Sequence, residues 1–184
     1  PMPNTSPVND NPTVTSYIVE RASRHALTNV FPIGCITKGG AGEALAEMGS
    51  MKRAGIVALS DDGRPVMNAR VMRRAMETAR SFDLPLIQHC EDLNLSAEGV
   101  MNESPISTEL GLAGATAAAE ETMVSRDIIL AGLTRGRVHL AHLSTKGSID
   151  LVRRAKEEGI KITCETCPHY FSLTELIVKE SGYN

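Results

Sequence analysis

Hydrophobic and polar positions divide the chain into two kinds of segment that alternate along it. Short apolar runs rich in β-branched residues recur, and the longer stretches between them carry apolar residues at helical spacing. The short runs predict five strands, at residues 29–36, 55–60, 84–89, 137–142 and 161–164. Residues 1–4 are interpreted as the tail of a further strand. Because strands that alternate with helices are typical of βα units, the pattern predicts a parallel sheet with helices packed against it.

The clearest helical pattern lies in residues 68–82, which place a single apolar stripe on one face of a helix. That stripe consists of Val71, Met72, Ala75, Met76, Ala79 and Phe82. Near the start of the chain, Asn11 followed by Pro12 predicts a capped helix that ends at about residue 26. Both segments fit the helices that a βα protein packs against its sheet.

Glycine and polar residues shape the remaining segments. Residues 108–133 form the longest helical pattern, and the two glycines near its start are expected to delay the helix. The polar segment 92–107 predicts one long loop. Residues 39–42 predict a turn into a helix, because they lack the lysine and hydroxyl of a phosphate-binding loop. The segment 172–175 fits a capping box, which predicts that a last helix begins there.

Length, composition and charge restrict the class of protein. With 184 residues, 42% of them hydrophobic and 22% charged, the chain predicts one globular domain spanning residues 1–184. A net charge of −3 indicates neither nucleic acid nor an anionic membrane as a partner. No apolar run approaches the ~20 residues of a membrane span, and the chain opens on no signal-peptide pattern. We therefore expect a cytoplasmic protein whose four cysteines are reduced.

Asp62, His89 and His142 stand at the ends of three predicted strands. Barrel enzymes place catalytic groups at the carboxyl ends of parallel strands, and a carboxylate with two imidazoles suits a divalent metal such as zinc. The neighbours Asp61 and Asp62 should point apart, and geometry alone does not choose between them. His139, three residues before His142, is expected on the opposite side, packed against the helices. The sequence therefore predicts metal-assisted chemistry.

Six motifs follow one another in the order of a known enzyme family. They are Met2-Pro3-Asn4-Thr5, Ser60-Asp61-Asp62-Gly63, Gln88-His89-Cys90-Glu91-Asp92, ELGLAGATAAAEE at 109–121, His142-Leu143-Ser144-Thr145, and TCETCPH at 163–169. In order and spacing, this series resembles the class I bacterial dihydroorotases of the amidohydrolase superfamily. The resemblance implies an α/β fold, the (β/α)₈ TIM barrel of metal-dependent hydrolases. The barrel is expected to be incomplete here, with about strands 2 to 7 present in residues 1–184.

The resemblance also implies a site and a reaction. In such enzymes two zinc ions lie at the carboxyl face of the barrel, and Asp62 matches the catalytic aspartate that bridges them. His89 and His142 match the two histidine ligands of the second metal. Asn4 matches the asparagine that contacts the carboxylate of the small-molecule substrate. The implied reaction is the zinc-dependent, reversible hydrolysis of dihydroorotate to N-carbamoyl-aspartate in pyrimidine biosynthesis.

The chain departs from the family's pattern in what it lacks. It contains neither the His-x-His pair and nearby arginine of the first barrel strand nor the acid/base aspartate that follows the eighth strand. The chain by itself is therefore expected to be an inactive fragment. A complete protein of this family is expected to form a homodimer or to associate with aspartate carbamoyltransferase.

Two other functions are alternatives to a dihydroorotase. The first is a non-catalytic scaffold subunit for aspartate carbamoyltransferase, a kind of protein that loses metal ligands. The second is another cyclic amidohydrolase, such as an allantoinase or a hydantoinase. Those enzymes bridge their metals with a carboxylated lysine, and no lysine ends the predicted strand at 55–60. The three ligands and the missing lysine favour the dihydroorotase.

Overall fold

The computed structural model describes residues 1–182 and contains a five-stranded parallel sheet with helices packed on one side. Its strands are β1 (Ile33–Gly34), β2 (Ala58–Ser60), β3 (Leu86–His89), β6 (Val138–Ala141) and β7 (Ile162–Cys164). They lie in that order, and every neighbouring pair is parallel. Two short strands, β4 (Met101–Asn102) and β5 (Gly114–Ala115), pair separately. All five predicted strands are present, within narrower bounds than the apolar runs.

The first predicted strand, at 29–36, shortens to two paired residues. Pro32 has no N–H to donate to a neighbouring strand, although its carbonyl accepts from Val57 N at 3.0 Å. Immediately after β1, Cys35 N donates to Asn9 O at 2.8 Å rather than to a strand. The N-terminal segment therefore takes up hydrogen bonds that a longer β1 would have used.

Helices follow most of the strands. Within the described residues they are α1 (Pro12–His25), α2 (Met48–Ala54), α3 (Ala69–Ser81), α4 (Leu93–Ser96), α5 (Pro105–Leu110), α6 (Ala118–Thr134), α7 (Lys146–Glu157), α8 (Pro168–Ser172) and α9 (Leu176–Glu180). Asn11 caps α1 by accepting from Thr13 N at 3.0 Å, and Asn68 caps α3 by accepting from Arg70 N at 2.9 Å. The predictions for α1 and α3 are confirmed.

Two long segments differ from their prediction. The predicted loop at 92–107 contains α4, β4 and the start of α5. The predicted helix at 108–133 is interrupted, because Gly111 adopts a left-handed conformation (φ 68°) that ends α5. Strand β5 follows, and the long helix α6 begins only at Ala118. The two glycines thus do more than delay one helix, since they separate two helices.

The predicted capping box at 172–175 is wrong. Ser172 is the last residue of α8, and Glu175, at the start of α9, makes no side-chain capping bond. A capping box occurs instead in front of α5, where Ser104 and Ser107 each accept a hydrogen bond from the other's backbone N–H. A serine at the third helical position replaces the usual glutamate, so the Ser-x-x-Glu pattern does not find it.

The two faces of the sheet carry different residues. The helix-facing side consists mainly of apolar residues in the core, including Leu86, Val138, Leu140 and Ile162, and it also carries the buried Gln88 of β3. His139 pairs in register with Ile87, two residues before His89, and therefore shares the face of His89. The prediction that His139 packs against the helices is wrong, because His142 lies beyond β6 with a positive φ of 39°. The alternation of side chains between the two faces therefore ends with β6 and does not determine the side on which His142 lies.

Two further predictions concern the state of the cysteines and whether any segment could span a membrane. Cys35 and Cys90 are buried, whereas Cys164 and Cys167 are half-buried. Burial raises the pKa of the Cys35 thiol to about 12, so this side chain is protonated at neutral pH. Among residues 1–182, no helix is both long enough and apolar enough to cross a membrane.

Candidate metal centre

The two aspartates after β2 have different surroundings. Asp61 is buried, and its Oδ1 accepts hydrogen bonds from Ile36 N at 2.8 Å and Thr37 N at 3.0 Å. Burial raises the pKa of Asp61, and the hydrogen bonds from Thr37 and Ile36 oppose that rise. Asp61 therefore ties the end of β2 to the segment after β1. Asp62, half-buried, is left to face the carboxyl edge of the sheet.

His89, the last residue of β3, has a partner at each ring nitrogen. Its Nδ1 lies 2.9 Å from His142 Nε2, and its Nε2 lies 3.0 Å from Glu91 Oε2. The rings of His89 and His142 meet edge to face, with centroids 4.7 Å apart. A carboxylate behind a ligand histidine fixes the orientation of the ring, and Glu91 occupies that position here.

His142 is the first residue after β6 and has a left-handed backbone, with φ 39°. A non-glycine residue in this conformation costs about 1–2 kcal/mol, so the surrounding structure must hold it. The next residue, Leu143, is buried in the core, and its N–H donates to Glu165 O at 2.8 Å. The pairing of β6 on one side and the anchored Leu143 on the other are therefore two of the contacts that hold the backbone of His142.

Asp62, His89 and His142 converge at the carboxyl ends of β2, β3 and β6. One ligand atom from each lies within 4.8 Å of the other two, and all three side chains are half-buried. One carboxylate oxygen with two imidazole nitrogens matches the donors that zinc prefers. Three protein ligands also leave coordination positions for water or a substrate, as catalytic zinc sites require. The donor set therefore fits a catalytic divalent metal.

Asn4 lies at the edge of this cluster. Its Nδ2 donates a long hydrogen bond of 3.4 Å to Asp62 Oδ2. A cavity of about 170 Å³ opens beside the pair, and Gly39, Gly40 and Arg64 also line it. A larger depression of about 450 Å³ elsewhere on the surface is lined by none of the three clustered side chains. Of these two cavities, the smaller one is lined by Asp62 and can bring a ligand to that side of the cluster.

Sequence reasoning gave no role to Glu91, although it lies only two residues after His89. A hydrogen bond from Ser96 lowers the pKa of Glu91, partial burial opposes this, and the hydrogen bond with His89 adds to the lowering. Glu91 is therefore an anion that can hold His89 in one orientation. The signal was present in the sequence, because an acidic residue close to a candidate ligand is a candidate orienting group.

The other histidines stay outside the cluster. His139 lies on the same sheet face as His89, and its Nδ1 is 2.8 Å from Thr163 Oγ1. Its Nε2 lies 3.5 Å from Glu165 Oε2, at the end of the neighbouring strand β7. His169 packs its ring against Tyr170, with centroids 4.4 Å apart.

Solved structures with the same architecture include hydantoinases. The chain is similar to the L-hydantoinase (dihydropyrimidinase) from Arthrobacter aurescens, with a TM-score of 0.76 and 16% identity over 98% of this chain and 42% of that one. It is also similar to a D-hydantoinase, with a TM-score of 0.70 and 14% identity over 97% and 40% of the two chains. At these identities the likeness shows the fold alone, and it confirms the predicted incomplete (β/α) barrel.

Sequence comparison identifies nearer relatives. The chain is 62% identical to the dihydroorotase of Solibacter usitatus (strain Ellin6076), over 95% of this chain and 40% of that protein. It is 57% identical to the dihydroorotase of Geobacter sulfurreducens, over 100% of this chain and 43% of that protein. The chain thus spans about two fifths of the length of the curated relatives it matches. The model of the dihydro-orotase-like family matches residues 1–148. The chain therefore belongs to the dihydro-orotase-like family.

Proposed function

We propose that the protein carrying this chain is a dihydroorotase, which interconverts dihydroorotate and N-carbamoyl-aspartate for pyrimidine biosynthesis with zinc as its metal. The observation that carries the proposal is the convergence of Asp62, His89 and His142 on one edge of the sheet. The identity of 62% to a dihydroorotase supports the choice of substrate. The aspartate at position 62, where hydantoinases have a carboxylated lysine, favours dihydroorotate over a hydantoin.

Each residue of the cluster has a role in this proposal. Asp62, His89 and His142 would hold the zinc, the first through a carboxylate oxygen and the other two through ring nitrogens. When bound, zinc lowers the pKa of a water molecule and polarises the carbonyl of the substrate amide. Glu91 keeps the His89 ring in one orientation, so the donated nitrogen stays directed at the cluster.

Asn4 is the substrate-binding residue in this proposal. Its amide donates to Asp62 at 3.4 Å, so a substrate carboxylate held by the same amide lies next to the cluster. An amide N–H₂ has two donors, and one of them can turn to an anionic oxygen of a ligand in the adjacent cavity. Binding by Asn4 would thus orient the ring so that its amide carbonyl meets the metal.

The proposed partners follow from the same assignment. The ligand is a small molecule, and the net charge of −3 gives no attraction to nucleic acid or anionic lipid. We place the enzyme in the cytoplasm and propose that it pairs with a second copy or with aspartate carbamoyltransferase. Size determination of the gene product, alone and with that carbamoyltransferase, distinguishes the two assemblies.

The decisive test assays the full gene product that carries this segment for conversion of carbamoyl-aspartate to dihydroorotate. We expect turnover to be lost on chelation and restored by zinc. Asp62→Ala should abolish both activity and bound zinc, because it removes the carboxylate ligand of the cluster. Asp150→Ala, which removes a half-buried carboxylate on α7 that pairs with Lys146, should leave both unchanged. A folded, zinc-supplied protein without turnover contradicts the proposal and favours the scaffold alternative, whereas full activity in Asp62→Ala contradicts the site.

A further inference from the structure

Glu120, in the first turn of α6, accepts four hydrogen bonds from two consecutive residues. Its Oε2 accepts from Ser144 N at 2.8 Å and from Ser144 Oγ at 2.7 Å. Its Oε1 accepts from Thr145 N at 3.0 Å and from Thr145 Oγ1 at 3.0 Å. Each carboxylate oxygen therefore holds one residue by both its backbone and its side chain. Charge-assisted bonds of this kind are stronger than bonds between neutral groups.

The segment that Glu120 holds begins at Ser144, two residues after the candidate ligand His142, and the buried Leu143 lies between them. On the other side of His142, Ala141 is fixed by its pairing in register with His89. The left-handed His142 thus lies between the end of the sheet and a segment anchored from another helix. A residue in a sparsely populated backbone conformation keeps it only when its neighbours on both sides are fixed.

The contact continues into the next helix. Thr145 caps α7, because its Oγ1 accepts from Ser148 N at 3.2 Å. Glu120 therefore links the start of α6, the segment after His142 and the start of α7 in one set of hydrogen bonds. The metal cluster itself does not use Glu120, although this residue lies in the 109–121 motif of the sequence.

We propose that Glu120 is a positioning residue of the metal centre, which holds His142 in the backbone conformation that directs its ring at His89 and Asp62. Without the carboxylate, Ser144 and Thr145 lose four hydrogen bonds. Only the pairing of Ala141 and the bond from Leu143 N to Glu165 O then hold the backbone of His142, which relaxes for part of the time to an ordinary negative φ. Its ring then leaves the cluster for part of the time, and the metal loses a ligand. The inference rests on the proposed metal site.

The test measures metal binding rather than turnover, in the full gene product. Zinc affinity is measured by competition with a chelator, and the absorption spectrum of the cobalt(II)-loaded protein reports the geometry of the ligands. For Glu120→Ala we expect zinc to bind about 10- to 100-fold more weakly, as is typical when a group that orients a ligand is lost. Glu120→Gln keeps one acceptor oxygen and should lose less affinity, with a cobalt spectrum that also differs from wild type.

Glu121→Gln is the matched control. Glu121 is the next residue of α6, and its carboxylate lies beside Gly147 without taking any of the four hydrogen bonds to Ser144 and Thr145. Zinc affinity should stay within about twofold of wild type in this control, well below the loss expected for an orienting group.

The outcomes separate positioning from a purely structural role. Weaker zinc binding with an altered cobalt spectrum, in a folded Glu120 variant, supports the proposal. A lower melting temperature with unchanged zinc affinity and spectrum overturns it, and Glu120→Gln decides in the same way where Glu120→Ala does not fold. A wild-type protein that binds no zinc contradicts the proposed function as well, whereas zinc-binding wild type with unaltered variants contradicts only the role of Glu120.

Discussion

One face of the parallel sheet packs against the helices, and the other carries the candidate metal centre, although the same strands form both faces. On the helix-facing side, Leu86 and Leu140 are fully buried in a core that consists mainly of apolar groups. On the other side, His89, His139 and Thr163 are polar and make hydrogen bonds at or near the carboxyl edge. Because successive side chains of a strand point to opposite faces, one short strand such as β3 contributes to stability and to the site at once.

The comparison extends to how each side is held in place. The helix-facing side is fixed by packing, which is spread over many small contacts. The site is fixed by a few directed hydrogen bonds between groups distant in sequence, such as those from Ser144 N to Glu120 and from Ile36 N to Asp61. Substitutions on the helix-facing side should therefore lower the unfolding free energy, whereas substitutions at the site should lower metal binding and turnover.

The largest expected effect is on the site side, in His142→Asn. Asparagine accepts a left-handed backbone, so the variant keeps the conformation but removes a ligand nitrogen. We expect activity to be abolished and zinc affinity to fall by more than about 100-fold, since even groups behind a ligand contribute 10- to 100-fold. The melting temperature of the metal-free protein should stay close to that of wild type.

His25→Asn is the control for this variant, because His25 lies at the exposed end of α1. Within residues 1–182, its ring has a hydrogen-bond partner only in Arg21. It should retain both zinc and turnover. Retained activity in His142→Asn would remove His142 from the site. An unfolded His142→Asn protein would contradict the separation of the two sides.

The next effect in size is on the helix-facing side, in Leu86→Ala. Leu86 is fully buried, so the truncation removes packed atoms and leaves a cavity, which should cost about 2–5 kcal/mol of unfolding free energy. The same truncation at Leu133, which is 61% exposed on α6, should cost less than about 0.5 kcal/mol. Denaturant unfolding measures both. Folded Leu86→Ala should bind zinc as wild type does, and a loss of zinc affinity comparable to that of His142→Asn would show that the two sides are not separable.

The sequence predicted the strands well because each depends on a local pattern. A buried strand needs an apolar run, so β2, β3, β6 and β7 fall inside the predicted runs. The candidate ligands followed, since the ends of parallel strands meet at one edge. The local pattern did not choose between Asp61 and Asp62, because that choice depends on the hydrogen bonds that Asp61 accepts from the segment after β1.

The errors arise where a rule about neighbouring residues, such as alternation or helical spacing, is overruled by the fold around them. Alternation placed His139 with the helices, but the rule stops at the end of β6, where the backbone of His142 turns left-handed. Helical spacing joined 108–133 into one helix, but β5 pairs with β4 and separates α5 from α6. Glu120 had no visible role, because its partners lie 24 and 25 residues further along the chain.

The smallest expected effect concerns a polar exception on the helix side. Asp127 in α6 is fully buried, and its Oδ1 accepts from Arg126 Nε at 2.8 Å. Burial raises the pKa of Asp127 from 3.8 to about 6, and the charge and hydrogen bond of Arg126 only partly oppose the rise. The carboxyl group is therefore easier to ionise in the unfolded chain than in the folded one.

The sign of the pH effect follows from this difference. Below about pH 4 both states are protonated, and the contribution to stability is fully present; as the pH rises through 6, the unfolded state ionises first and the folded state loses stability. The loss is at most about 3 kcal/mol, from 1.36 kcal/mol for each unit of pKa difference. Asp127→Asn does not titrate, so its unfolding free energy relative to wild type should rise between pH 4 and pH 7. Glu157→Gln, on the exposed surface of α7, should show no such rise. If the difference in unfolding free energy between Asp127→Asn and wild type stayed constant between pH 4 and pH 7, the helix-facing side would tolerate the charged carboxylate of Asp127. Exclusion of water would then not be what distinguishes that side from the site.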